Sequence, residues 1–596
     1  MKNRGIQQEI PRMEHPRPQL ERESWETLNG LWEFDFDFSQ SGIDRRKWDD
    51  LSYPHEILVP FCPESRLSGI AYTDFIPAAW YRRSFSLSAD KMKGKVLLHF
   101  GAVDYECHIW INGKKAGEHK GGYTSFTLDI SPFVTEGENT ISVYAVDNMR
   151  NGRQASGKQS DRYESHGCFY TRTTGIWQSV WVEYVPCTYI RNLKINTDAF
   201  NGSVDITAEL EDGDGAKLTV LVKKNGICEK KETVFAANQR AKCSIKMDNP
   251  KLWSPDSPEL YDLEMILEKG DEKDNVKSYF GIRTIEWKNH KIYLNGKPIF
   301  LRLILDQGFY PEGIYTAPED GDFIRDIMLA KELGFNGARL HEKVFEERYL
   351  YYADRLGYMV WGEFANWGLD ITTAQGLEIM LPEWMEVINR DYNHPSIIGW
   401  CPFNETFDYP VDRPRRAQDD EVIRAFYHVT KEMDPTRPVI DTSGFYHVET
   451  DIYDLHDYEQ YPEVFRERYG NLEPGDTCYD EKEGRQHYDG SQPLFMSEYG
   501  GTFWAEKEEN RRPVYQDEGW KRWKEPESEE EVCERYVGLT EVLLDSQAFC
   551  GFCYTQLTDV EQEINGLYTY DRKKKFSDEV YRKIYEINTQ KARIEE

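Results

Sequence analysis

The hydrophobic rhythm of this chain changes once, near Ile282, and that change constrains the fold more than any other feature. Upstream of it, short runs of β-formers recur without helical periodicity, broken by Gly, Asp and Asn turns. Residues 97–100 and 106–111 are such runs, and Asn112-Gly113 after the second is a hairpin signal. With further runs at 140–146 and 178–185, the pattern predicts a jelly-roll-like β-sandwich over residues 1–185. Runs at 203–210, 217–222 and 261–267 predict a smaller, immunoglobulin-like β-sandwich over 186–283.

Downstream, strand and helix alternate. Expected strands lie at 299–304, 337–340, 358–361, 396–400, 438–441, 452–455, 493–496 and 551–554. Between the first two, residues 320–333 place Ile324, Ile327 and Met328 on one helical side and stop at Gly334. A second helix passes through Tyr349, Tyr352 and Leu356 to Gly357. Ser528 with Glu531 reads as a capping box for a helix that turns Val532, Tyr536 and Leu539 inward. Eight strands of this kind predict a C-terminal (β/α)8 TIM barrel over 284–596.

Composition narrows the partners. A net charge of −32 argues against nucleic acid or an acidic membrane. No apolar run approaches the ~18 residues that span a bilayer. The first nine residues lack the apolar stretch of a signal peptide, so a cytoplasmic location is expected. The 11 cysteines are scattered; Cys550 and Cys553 are the closest pair, and Cys550-Gly551-Phe552-Cys553 reads as strand. Reduced, buried thiols are expected, with neither a zinc site nor a disulfide framework. The aromatic share of 14% suits sugar faces, but large β-rich cores are the plainer and favoured reading.

Polar residues at strand ends carry the information in a barrel. The fourth expected strand leads into Asn404-Glu405, and the seventh into Ser497-Glu498-Tyr499-Gly500. Two carboxylates thus project from nearly opposite walls into one mouth. The plainer reading makes them two surface acids among 105. Their shared strand-end placement favours the other reading, a carboxylate pair for retaining glycoside hydrolysis, in which one protonates the leaving oxygen and the other attacks the anomeric carbon.

The stretch 393–400 (NHPSIIGW) leading to Asn404-Glu405 resembles the acid/base signature of glycoside hydrolase family 2, and 497–500 (SEYG) resembles its nucleophile signature. Residues 28–32 (LNGLW), 80–83 (WYRR), 121–123 (GGY) and 174–178 (TGIWQ) resemble that family's sugar-binding sandwich. The resemblance covers nearly the whole chain. It implies Glu405 as acid/base, with a raised pKa, and Glu498 as nucleophile. It further implies that Asn404 bonds the sugar 2-hydroxyl and that Arg339 orients Glu498 and keeps it ionised. His456, Tyr458 and Trp504 are read either as lining the subsite or as structural residues beside it.

Strand one departs from the family, since 302–307 (RLILDQ) lacks the usual His-Glu; Asp306 and Gln307 are the polar groups there, and Asp306 is expected on sugar hydroxyls. Leu340-His341-Glu342 departs as well, with Glu363 and Asn366 available to compensate. Family glucuronidases place an Asn and a Lys near the last strand for the substrate carboxylate. Glu563 and Asn565 stand there instead, which disfavours a uronic acid. Lys573, Lys574 and Lys575 behind them read as a solvated loop. The expectation is therefore an exo-β-glycosidase acting on terminal β-D-galactosides, with β-glucuronidase the alternative and an inactive carbohydrate-binding protein the alternative of another class. Its partner is a carbohydrate, a homo-oligomer is left open, and no cofactor is implied. No ligand cluster of metal-site spacing is visible, so metal: none. The charged stretch 506–526, with Trp520 and Trp523, reads as a long loop beside the seventh strand.

Overall fold

The computed structural model describes residues 10–406, 418–479, 488–504 and 524–595, so Trp520, Trp523 and most of the 506–526 stretch lie outside the described residues. The N-terminal part is a sandwich of a six-stranded and a four-stranded antiparallel sheet. Gly137–Val146 runs between Ala78–Leu87 and Glu106–Ile111 in the larger sheet. Its inward Ile141, Val143 and Ala145 share a core with Leu98, Phe100 and Val180 of the smaller one. Asn112 and Gly113, at φ 51° and 75°, join Glu106–Ile111 to Lys114–Lys120, the two left-handed residues that a tight hairpin turn requires.

The second sandwich packs a three-stranded sheet on a four-stranded one around Val204, Ile206, Leu218, Val220, Leu263 and Met265. Four of its strands are not among the runs read from sequence: Tyr189–Asp198, Ile227–Phe235, Arg240–Lys246 and Glu272–Phe280. Ile227–Phe235 is a charged edge strand with no buried residue, so it offers no apolar run to find.

The barrel strands are β1 Leu301–Asp306, β2 Gly337–Leu340, β3 Met359–Glu363, β4 Ile397–Cys401, β5 Thr442–Ser443, β6 Tyr453–Asp457, β7 Leu494–Gly500 and β8 Phe549–Thr555. Seven form one parallel sheet in the order β4-β3-β2-β1-β8-β7-β6. β5 pairs with Phe403–Asn404, the continuation of β4, and Trp400 bridges Val439. Side chains knit β5 to β6: Ser443 Oγ donates to Asp454 Oδ2 at 2.5 Å, and His447 sits between Asp441 and Asp454. All residues of β2, β4, β7 and β8 are buried, as expected of parallel strands covered on both faces.

Three sequence expectations shift. β1 begins two residues later than the apolar run, because Lys297–Ile299 belongs to an antiparallel meander. A slip of two keeps every side chain on its face, so periodicity cannot detect it. The fifth strand is short and sits at 442–443, with only a bridge at Val439 in the expected 438–441 stretch. Ser528 Oγ does cap Glu531 N, but the Glu531 carboxylate accepts from Glu527 N, so the reciprocal half of the box is displaced by one residue.

Candidate active site

β4 and its continuation deliver Asn404 and Glu405, while β7 delivers Glu498 from the far wall. Glu405 has φ 44°, a left-handed backbone for a non-glycine residue. That conformation costs roughly 1–2 kcal/mol and is held by Glu405 N donating to Ser443 O at 2.9 Å. A carboxylate oxygen of each Glu and a ring nitrogen of His456, from β6, all lie within 4.8 Å of one another.

Arg339, from β2, is fully buried and organises this cluster with its whole fork. Nη1 donates to Glu498 Oε1 at 2.7 Å, Nη2 to Asn404 Oδ1 at 2.7 Å, and Nε to Glu363 Oε2 at 2.6 Å. Burial opposes its charge, but Glu363 and Glu498 outweigh that and raise its pKa well above the ordinary value. Tyr458 OH donates to the other Glu498 oxygen, Oε2. Asn404 is fixed twice, by Arg339 and by its own N donating to Asn366 Oδ1 at 2.7 Å. Its Nδ2 is buried with no partner among the described residues, an unspent donor beside both carboxylates.

His456 Nδ1 lies 2.8 Å from Glu405 Oε1, and Nε2 lies 3.1 Å from Ser443 Oγ and 3.5 Å from Glu498 Oε1. This reverses one expectation. Burial alone pushes Glu405 up, but the bond and charge of His456, with Lys158 and Arg339 behind them, hold its pKa below the ordinary value. Around the rim, burial and the neighbouring Glu363 push Glu342 well up, and burial with Lys158 pushes His341 well down.

Further expectations need correction. Asp306 does not join the cluster: Oδ1 accepts from Gly308 N at 2.9 Å and Oδ2 from Tyr349 OH at 3.2 Å, toward the helix Glu347–Leu356. The two-residue shift of β1 places it within the strand rather than beyond its end. Metal-ligand spacing, unseen in the sequence, exists in the trio Glu405, His456 and Glu498, whose members come from three separate strands. Of the three lysines behind Glu563, Lys573 and Lys574 are solvated, but Lys575 is half-buried, its side chain covered, and bonds Asp559 Oδ1 at 2.7 Å and Ile564 O at 2.7 Å.

Glu563 and Asn565 lie on the turn after β8. Asn565 Nδ2 donates to Glu563 Oε1 at 3.2 Å, and Tyr170 OH of the sandwich donates to Glu563 Oε2. Trp504 borders this turn through its N donating to Ile564 O at 3.4 Å and packs on Phe576, ring centroids 5.3 Å apart.

No sequence pattern points to the sandwich groups at the mouth. A loop from Gln154 to Thr171 is pinned to the barrel on both sides. Ser156 N donates to Trp367 O at 2.7 Å, and Gln562 Nε2 donates to Gly167 O and Phe169 O at 2.9 Å each. Between these anchors, Lys158 places Nζ 4.2 Å from the centroid of Trp367, whose Nε1 donates to Asn404 O at 3.1 Å. A lone Lys in a loop more than two hundred residues upstream carries no signal of its own.

Residues 25–186 match the profile for the glycosyl hydrolases family 2 sugar binding domain, 188–283 match glycosyl hydrolases family 2, and 285–589 match the family 2 TIM barrel domain. The chain is 29% identical over 416 residues to a putative beta-glucuronidase of Formosa agariphila, covering 66% of this chain and 48% of that protein. It is also 29% identical over 427 residues to a beta-galactosidase of Thermoanaerobacter pseudethanolicus, covering 69% and 53%. The chain thus spans about half the length of these curated relatives. In fold it resembles the b-glucuronidase from Ruminococcus gnavus in complex with D-glucuronic acid, with a TM-score of 0.75 and 19% identity over 97% of this chain and 100% of that one. No helix among the described residues is long and apolar enough to cross a membrane. Three consecutive domain profiles of one family, running almost without a break from residue 25 to 589, establish that this chain belongs to glycosyl hydrolases family 2.

Proposed function

We propose that this chain is a retaining exo-β-glycosidase, with Glu405 as acid/base and Glu498 as nucleophile, and that terminal β-D-galactosides are its preferred substrates. The observation that carries the chemistry is the spacing of the two carboxylates. Oxygens within 4.8 Å suit direct attack at the anomeric carbon. The ~6.5–9.5 Å separation of an inverting pair, which must hold a water, does not fit. Glu498, bonded by Arg339 and Tyr458, is oriented as a nucleophile. Asn404 Nδ2 supplies the free donor for the 2-hydroxyl, a bond that tightens in an oxocarbenium-like state.

The preference for a neutral sugar rests on charge. Glu405, Glu498 and Glu563 share one mouth, and the charge of Lys158 is already drawn on by all three. Among the described residues, the carboxylates of this mouth outnumber Lys158 and oppose the further negative charge of an incoming uronate. The expected outcome on a panel of p-nitrophenyl glycosides is a kcat/KM for the β-galactoside at least about 10-fold above that for the β-glucuronide. The reverse order overturns the sugar assignment and leaves the two-carboxylate mechanism standing.

The His456 bond makes a second prediction. The basic limb of kcat/KM reports the free enzyme's proton donor, which must be protonated to act. With His456→Leu, the bond and charge that lower the Glu405 pKa are gone while burial, which raises it, remains. The basic limb is then expected to move to higher pH, although the rate at the optimum falls. A limb that stays in place or moves to lower pH shows that His456 does not set the donor.

A further inference from the structure

The sandwich loop approaches the barrel too closely for an ordinary residue at its tip. Gly157 has φ 54°, and a Cβ there would stand 2.3 Å from Glu342 O, on the segment following β2. Its N donates to Ala365 O at 3.3 Å and Trp367 O at 3.2 Å, while Lys158 O accepts from Tyr170 N at 2.7 Å. Glycine at 157 thus allows the next side chain, Lys158, to enter the mouth over Trp367. Lys158 is 6% exposed, and among the described residues its ammonium has no hydrogen-bond or ion-pair partner. Burial opposes its charge, and Cys168, Glu563, Glu405 and Glu498 sustain it, while its N–H donors remain available to an acceptor on the substrate. Tyr170 links this residue to the turn after β8: its N donates to Lys158 O and its OH to Glu563 Oε2, and Lys158 chiefly pulls down the Glu563 pKa that burial raises.

We propose that Lys158 is a substrate-binding and specificity-determining residue, donated by the sandwich, which hydrogen-bonds a neutral hydroxyl of the terminal sugar lying between its ammonium and the Glu563 carboxylate. A hydroxyl accepts from one side and donates to the other, so it satisfies both groups at once. A sugar carboxylate only accepts at neutral pH and is repelled by Glu563. Lys158 therefore selects for a polar, uncharged substituent, and the barrel alone does not complete the sugar site. This rests on the glycosidase reading above.

The test compares wild type, Lys158→Met and Lys158→Arg on p-nitrophenyl β-galactoside and its 3-, 4- and 6-deoxy analogues. Lys158→Met is expected to lower kcat/KM on the parent sugar about 10- to 100-fold, the effect of losing one charged hydrogen bond. On the analogue that lacks the contacted hydroxyl, the same variant and wild type are expected to be nearly equal. Lys158→Arg keeps the charge but moves the donor, so its ranking of the analogues is expected to differ from that of wild type. If the variant-to-wild-type ratio is the same on all four substrates for both variants, Lys158 supports the site only through its charge or the fold, and the proposal fails. Should wild type turn over none of the parent β-glycosides, the glycosidase reading falls first and takes the Lys158 role with it.

Discussion

Replacing Glu498, the proposed nucleophile, by glycine is expected to lower kcat by about 10⁵-fold on every β-glycoside the wild type cleaves, because the proposed glycosyl-enzyme bond then cannot form. Glu498 follows Ser497 on β7, is 3% exposed, and has one oxygen held by Arg339 and the other by Tyr458. That double anchorage leaves it little freedom except to face the anomeric carbon. The glycine variant removes both acceptors, yet Arg339 keeps Glu363 and Asn404, so its buried charge is not orphaned and the fold is expected to survive. Added azide is then expected to enter from the vacated face and give the α-glycosyl azide from an activated β-glycoside. In the wild type, a 2-fluoro glycoside with a good leaving group is expected to label the peptide containing Glu498. Labelling of Glu405, or full activity of the glycine variant, would reverse the assignment.

What the sequence revealed and what it hid divide along a physical line. β2 was legible to the residue as 337–340, because a run of four buried residues flanked by glycine and a helical pattern leaves few alternatives. The two glutamates were legible because each follows a strand, and strand ends in a barrel converge on one face. Contacts between distant segments were not legible. Ser443 behind His456, Tyr170 on Glu563 and Lys158 over Trp367 are separated from their partners by 13, 393 and 209 residues, respectively. None of them alters a local pattern.

Asp306 illustrates the opposite failure. It occupies a position where a polar residue after a strand signals function, but β1 extends two residues further than its apolar run implies. Its carboxyl, pushed up to about 6 by burial and by Asp326, serves the joint between β1 and the helix Glu347–Leu356. The same polar residue type two residues inside or outside a strand end changes from structural to functional, and side-chain alternation, which repeats every two residues, cannot place that shift.

The direction of the Glu405 pKa sharpens the second large expectation. A proton donor whose pKa is held low is mostly ionised in the free enzyme at neutral pH, so donation depends on events that weaken its bond to His456 or protonate it as substrate binds. Glu405→Ala removes the donor, and the loss is expected to track the leaving group. Substrates with alkyl aglycones, which need full protonation, are expected to lose roughly 10³- to 10⁴-fold in kcat/KM, whereas dinitrophenyl glycosides lose little. Their glycosylation of Glu498 still proceeds, but no base then activates water, so the covalent intermediate accumulates and kcat falls on these substrates as well. Azide needs no base and reaches the space Glu405 vacates, and it is expected to restore turnover and yield the β-glycosyl azide. The opposite azide anomers from the two variants follow from one geometry, two carboxylates on facing walls with the anomeric carbon between them. An α-azide from Glu405→Ala would exchange the roles of the two residues. Inversion by the wild type would mean that the carboxylates separate on binding substrate to admit a water, and double displacement would fall.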